Sequence, residues 1–235
     1  MPKYTHLIFD ADHTLIDYTA DEYGALERLF AFLGVKADKE MILRCQALSV
    51  EAWKEAGLFD VHTEKIQREY HLLYRSHLLG LFRRIFEEFG VDADVGMTSE
   101  RFLKELEHVA VPMIGARECL LALKGRCKLY VATNGISAMG RGRLALFAGL
   151  LDGIFISEEM GVIKPKKEFF EHILQTVGAK KEECLMIGDS LASDMAGAIA
   201  AGIDCCWLNA QKKPNESSVR PTYEIASLKE VEKFV

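Results

Sequence analysis

Apolar positions along this chain keep two different rhythms, and the change between them divides it. From about residue 18 to 110 they recur every three or four residues. Tyr23, Leu26, Phe30 and Leu33 share one helical face, closed by Gly34. The same period runs from Asp38 to Ala56 before Gly57. It resumes near Thr63, passes Ile66, Tyr70 and Leu73, and reaches Phe86 and Phe89 before Gly90. A last helix is predicted from Thr98 to about Val109, with Phe102, Leu103 and Leu106 on one face. Beyond it, short apolar runs at 127–133, 153–157, 184–189 and 205–209 alternate with helical segments at about 115–124, 137–148, 167–177 and 192–201. Gly125, Gly149, Gly178 and Gly202 stand where helix-ending glycines are expected. Strands alternating with helices predict βαβ units and a parallel sheet. The apolar segment 4–9 belongs with these later strands. The expected class is therefore α/β. Residues 1–17 and 110–235 form the sheet and its flanking helices, and 18–109 form an all-helical insertion after the first strand.

Composition narrows the function without naming it. The 235 residues are 49% hydrophobic and 27% charged, which suits a globular protein with a substantial core. A net charge of −6 with scattered positive residues argues against a nucleic-acid polymer as partner. No apolar stretch approaches the roughly 18 residues of a membrane span. MPKYTHLIFD lacks the pattern of a signal peptide, and the six cysteines show no C-x-x-C spacing. Buried, reduced thiols and a cytoplasmic location are the expectation.

The chemistry gathers at the carboxyl ends of the strands, where open α/β sheets bind their ligands. Asp10 and Asp12 follow directly on Leu7, Ile8 and Phe9. Acidic residues disfavour strands, and like charges this close resist joint ionisation, so a compensating cation is expected. The second strand ends in Thr133–Asn134–Gly135. The fourth ends in Gly188–Asp189–Ser190, with Asp194 five residues beyond Asp189. Lys164–Pro165 lies between them, just before a helix. Each piece alone has an ordinary explanation: an aspartate capping a helix, a turn, a surface loop. In order, at successive strand ends, they assemble carboxylates, a hydroxyl, an amide and an ammonium. That set suits a hard cation with oxygen ligands, plus donors for the oxygens of an anion.

The order D-x-D-x-T, T-N-G, K-P and G-D-x-x-x-x-D resembles the four motifs of the haloacid dehalogenase-like superfamily. Its members have a Rossmann-like core, and the helical insertion resembles their first cap subclass. EEMGVIKPKKEFF and IGDSLASDMAGAIAAGIDCCWLN look most like the branch of noncanonical pyrimidine nucleotidases, which hydrolyse nucleoside 5′-monophosphates. The resemblance implies a phosphatase acting on a small phosphate monoester. Asp10 would be the nucleophile, forming an aspartyl-phosphate, and Asp12 the acid and base, its pKa raised by a like-charged neighbour. Magnesium would sit on the carboxylates of Asp10 and Asp189 and the backbone carbonyl of Asp12. Asp194 would stand behind these ligands, orienting a bound water or Lys164. Thr133 and the backbone N–H of Asn134 would bind a phosphoryl oxygen, and Lys164 would neutralise the group in transfer. Thr14 would tighten the loop after the nucleophile through a hydroxyl–backbone bond. One departure stands out. Family members usually have Gly or Asp after the second aspartate, and this chain has His13. The expectation is a side chain turned away from the metal, or one that meets substrate or cap.

Other functions remain on the same motifs. Asp12 argues against a dehalogenase, since the dehalogenases of the superfamily lack the second acid. A phosphomutase keeps all four motifs, a phosphatase of sugar phosphates or phosphoglycolate would look alike, and a binding protein could reuse the fold. Trp53, Phe59, Tyr70 and Tyr74 are candidates for stacking a base, although aromatics at helical spacing more often form core.

Overall fold

Successive side chains of a strand point to opposite faces, so an apolar run without alternation must be buried on both. The computed structural model describes residues 3–235 and shows this arrangement. The strands are β1 (His6–Phe9), β2 (Lys128–Thr133), β3 (Gly153–Ile156), β4 (Cys184–Gly188), β5 (Asp204–Leu208) and β6 (Tyr223–Ile225). They form one sheet in the order β3-β2-β1-β4-β5-β6, and every pairing is parallel. Leu7, Phe9, Leu129, Val131, Leu185 and Ile187 face a cluster that includes Leu120, Leu123, Phe147 and Val231. Ile8, Tyr130, Ala132, Met186 and Cys205 face the other side, against Phe169, Phe170, Ile173 and Ala198.

The helices of this layer are α5 (Ala116–Leu123), α6 (Ser137–Leu144), α7 (Ser157–Met160), α8 (Lys167–Val177) and α9 (Ala196–Ala200). Two of the expected helices are less regular than their periodicity suggests. Segment 137–148 is α6 followed by a 3₁₀ turn, Ala145–Phe147. The segment expected at 192–201 opens with a turn of π-helix, Leu191–Met195, before α9 begins. The free cysteines follow their neighbours inward. Five are buried, and burial pushes the thiols of Cys45, Cys119, Cys184 and Cys206 up to about 12.

The chain separates into two compact units, Met1–Asp17 with Pro112–Val235, and Tyr18–Val111. The second is helical throughout: α1 (Tyr18–Phe32), α2 (Lys39–Glu55), α3 (Glu64–Phe89) and α4 (Val95–Glu107). Its helix starts are capped as the side chains dictate, with Asp38 accepting from Met41 N (2.8 Å) and Asp94 from Met97 N (2.7 Å). The Asp94 cap begins α4 at Val95, ahead of the expected Thr98. Leu26, Leu29, Phe30, Phe82, Phe102 and Leu106 form its dry interior. Near its two ends, the Asp21 carboxylate accepts the N–H of Val111 (2.6 Å). In the sheet unit, Met113 N donates to Leu15 O (2.9 Å) and Ile16 bridges Pro112.

One packing contact in the sheet unit demands a glycine. A Cβ on Gly197, in α9, would lie 2.4 Å from Phe170 Cε2 and 2.9 Å from the Pro165 backbone. Neither can yield, since Phe170 is fully buried and Pro165 is main chain. Gly197→Ala should therefore destabilise the protein by about 1–3 kcal/mol, the usual cost of overpacking. Urea unfolding of both proteins tests this, and an unchanged midpoint would refute the tight approach.

Candidate active site

Register decides which side chains meet. Phe9 lies opposite Val131 on one neighbour and Ile187 on the other. Asp10, one residue on, donates its N–H to Ile187 O (2.8 Å) and so falls at the sheet edge between Ala132 and Gly188. Lys164 reaches the same place from the loop before α8. Its ammonium donates to Asp10 Oδ1 (2.5 Å), Asp194 Oδ1 (2.6 Å) and the Ala132 carbonyl (2.7 Å). These three bonds use every donor an ammonium has. The lysine is 2% exposed.

The supports of this cluster are local and specific. Asn134 Nδ2 donates to Lys164 O, and Lys164 N donates to Asn134 Oδ1, both at 2.8 Å. The Asn134 side chain thus clamps the lysine loop, which the sequence did not reveal. Gly135 N donates to the buried Ser157 hydroxyl (3.1 Å), fixing the T-N-G turn to the end of β3. The π turn brings Asp194 back over Gly188, where a Cβ would fall 2.2 Å from Asp194 Oδ2; only glycine fits. The same oxygen accepts from Ser190 N (3.1 Å). Asp12 goes elsewhere. Its carboxylate pairs with the buried guanidinium of Arg143, on α6.

One expectation is modified. The Thr14 hydroxyl is buried and makes no hydrogen bond among the described residues, so it does not tighten the loop. The loop is closed by main chain instead: Leu15 N and Ile16 N both donate to Ala11 O (2.9 Å each), and His13 N donates to Ile16 O (2.7 Å). His13 has φ 61°, the left-handed region that glycine adopts without strain. Its side chain is exposed.

A family model described as haloacid dehalogenase-like hydrolase matches residues 4–202. The chain belongs to that family. It is 32% identical to the pyrimidine 5′-nucleotidase YjjG of Escherichia coli, covering 99% of this chain and 98% of that one. It is 36% identical to the pyrimidine 5′-nucleotidase PynA of Streptococcus pneumoniae, covering 97% and 93%. The crystal structure of the HAD-hydrolase YfnB from Bacillus subtilis, bound to magnesium, superposes with a TM-score of 0.81 at 30% identity, covering 98% of each chain.

The donor set of this hydrolase fits a hard divalent cation. Oxygens of Asp10, Asp189 and Asp194 lie within 4.8 Å of one another, with no sulfur or imidazole in the group. Each Asp194 oxygen already accepts one hydrogen bond, from Lys164 and from Ser190 N, as Asp10 Oδ1 does from Lys164. The charges also call for a cation. Burial acts against the Lys164 ammonium, but Asp10 and Asp194 outweigh it and hold the lysine above its ordinary range. One ammonium does not balance three carboxylates. Burial, and next the charge of Asp194, push Asp189 up to about 7. Burial also drives Asp10 upward, with Asp194, Asp189 and Asp12 adding to it and Lys164 opposing.

A carboxyl raised in the folded state stabilises the fold below its unfolded pKa and loses that contribution as pH rises through the folded value. In chelator, Asp189 should therefore make the protein less stable at pH 8 than at pH 5. Asp189→Asn should remove this part of the decline. Denaturation midpoints of both proteins across pH 5–8 check it, and parallel curves would rule out this carboxyl as the cause.

Proposed function

We propose that this hydrolase is a magnesium-dependent phosphatase of nucleoside 5′-monophosphates, working through an aspartyl-phosphate. The observation that carries the reading is Asp10 at the end of β1, with Lys164 on one of its oxygens and Asp189 beside it. An ammonium alone would make an inert ion pair. An ammonium together with a metal-suited carboxylate pair makes a place where a phosphoryl group's charge is met from two sides.

In the first step an Asp10 oxygen attacks phosphorus in line, the bond to the leaving oxygen breaks, and Asp12 gives that oxygen its proton. In the second, Asp12 takes a proton from water, which attacks the same phosphorus and returns Asp10 as carboxylate with release of phosphate. Magnesium, held by the carboxylates of Asp10 and Asp189 and the carbonyl of Asp12, would supply positive charge against the phosphoryl oxygens. Thr133 and the N–H of Asn134 would bind one of those oxygens. Lys164 would act chiefly as a fixed charge, since a phosphoryl oxygen meets its ammonium only by replacing one of the three present acceptors. Asp194 would hold the lysine in place.

The preference for nucleotides is supported by the near full-length similarity to YjjG and PynA. The core chemistry handles only the phosphoryl group, so selection falls to the helical unit. There Trp53 meets Phe59, Tyr70 and Tyr74 edge to face, with ring centroids 6.4, 6.3 and 5.3 Å away. Tyr70 and Tyr74 are buried as core, whereas Phe59 is 61% exposed and open to stacking. A base stacked on an aromatic contributes about 1–3 kcal/mol.

Asp10→Asn is nearly isosteric and should reduce turnover to background while the fold persists. A folded variant that keeps a tenth of the parent rate would sink the covalent step. Chelation should abolish activity and magnesium restore it; calcium, with its looser shell of 6–8 oxygens, should support little turnover. Full rate in excess chelator would remove the metal.

For the substrate, kcat/KM should be higher for UMP and dUMP than for phosphoglycolate or glucose 6-phosphate, by roughly 5- to 150-fold if stacking supplies the difference. A tenfold win for either non-nucleotide would end the nucleotidase assignment.

A further inference from the structure

Arg143 is the largest fully buried side chain among the described residues, at 1% exposure, and none of the motifs accounts for it. A guanidinium taken out of water is costly unless an anion meets it with good geometry. The anion it meets is Asp12, through Nη2 to Oδ1. The Asp12 carboxylate itself keeps 30% exposure, so a solvated group is held from its buried side.

The frame around this pair is stiff. Ser137 N, at the start of α6, donates to Glu158 Oε2 (2.7 Å). Arg141 forks onto Glu159 through Nε and Nη2, both at 2.6 Å. A Cβ on Gly140 would lie 3.2 Å from Ile156 Cδ1, so α6 lies close on β3. The Asp12 backbone is held by its own loop, with His13 N on Ile16 O (2.7 Å). Main chain leaves the aspartate side chain two torsions to turn about. The contact with Arg143 removes that freedom.

We infer that Arg143 is a positioning residue for Asp12, aiming its carboxylate so that a proton passes to the leaving oxygen as the bond to phosphorus breaks. This rests on the proposed role of Asp12 as acid. A lysine would not serve equally, because the planar guanidinium presents its Nη2 donor in a fixed direction, whereas an ammonium on a flexible stem does not. Two other roles are available to a buried cation here, a direct hold on the phosphoryl group or plain support of the fold. Both affect all phosphate esters alike. Positioning of an acid does not, because the need for a proton grows with the basicity of the leaving group.

The test compares kcat/KM on two esters, p-nitrophenyl phosphate and the alkyl phosphate that the parent hydrolyses best. Nitrophenolate leaves without a proton, and an alkoxide does not. Arg143→Met should lose about 100-fold on the alkyl ester, at the lower end of what general acid catalysis supplies. It should stay within about fivefold of the parent on the nitrophenyl ester. Asp12→Asn should lose at least as much on the alkyl ester, and adding Arg143→Met to it should cost nothing more there. If the methionine variant does not fold, Arg143→Lys keeps the buried charge and carries the same comparison, because the readout is the ratio of two losses in one sample. Equal losses on both esters, or losses that simply add to those of Asp12→Asn, would overturn the inference. A parent inactive on both esters would overturn the phosphatase reading itself, whereas an active parent with equal losses overturns only the role of Arg143.

Discussion

The ammonium of Lys164 is the point on which the site's construction turns. A buried cation of this kind persists only where acceptors enclose it, and three elements supply them: β1 through Asp10, β2 through the Ala132 carbonyl, and the π turn through Asp194. Each supplier is shaped by that duty. Gly188 is bare so that Asp194 can lie over it, and Asn134 grips the main chain of the lysine from both sides. The widened turn at Leu191–Met195 is the backbone's answer to the same need. A regular α-helical start has a narrower turn, whereas here both Asp194 N and Met195 N reach Ser190 O at 3.1 Å. The enclosed charge thus links strands distant in sequence into one rigid edge.

Much of this edge was legible because topology does the sorting. In a parallel sheet every strand's carboxyl end lies on one side, so Asp10, Thr133 and Asp189 converge once their strands are recognised. The apolar runs are unmistakable because both faces are buried, and the helix starts because Asp38 and Asp94 are caps. What stayed hidden depends on side-chain reach. Arg143 in RGRL carries no motif, and periodicity tells which face a residue occupies but not how far an arginine side chain extends. Ser157, buried against Gly135 N, looks like any residue after a strand. β6 has three residues on the sheet's edge, too few for a period of two to register. Thr14 shows the opposite failure, where a plausible hydroxyl bond is replaced by main-chain closure of the loop.

Electrostatics at the edge is deliberately unfinished in the protein alone. Lys164 offsets part of the carboxylate charge and Arg143 takes up Asp12, yet Asp189 is still pushed far from its ordinary value. A site that were neutral without its ion would have little reason to bind one. Here the shared position of the carboxylates leaves a repulsion that a bound cation would relieve.

The connection between the units has a further meaning. The chain leaves the sheet unit after Asp17 and returns at Pro112, and there Ile16 bridges Pro112, with Met113 N on Leu15 O. Within the helical unit, Asp21 ties Val111 in the same way. An insertion whose two stems are stapled on either side of the junction closes its loop inside each unit. Closure entropy then changes only slowly with the length of chain between the stems. Residues 18–111 can accordingly drift, lengthen or be exchanged over evolutionary time while the sheet edge keeps its geometry. The helical unit can vary without the sheet edge having to be rebuilt.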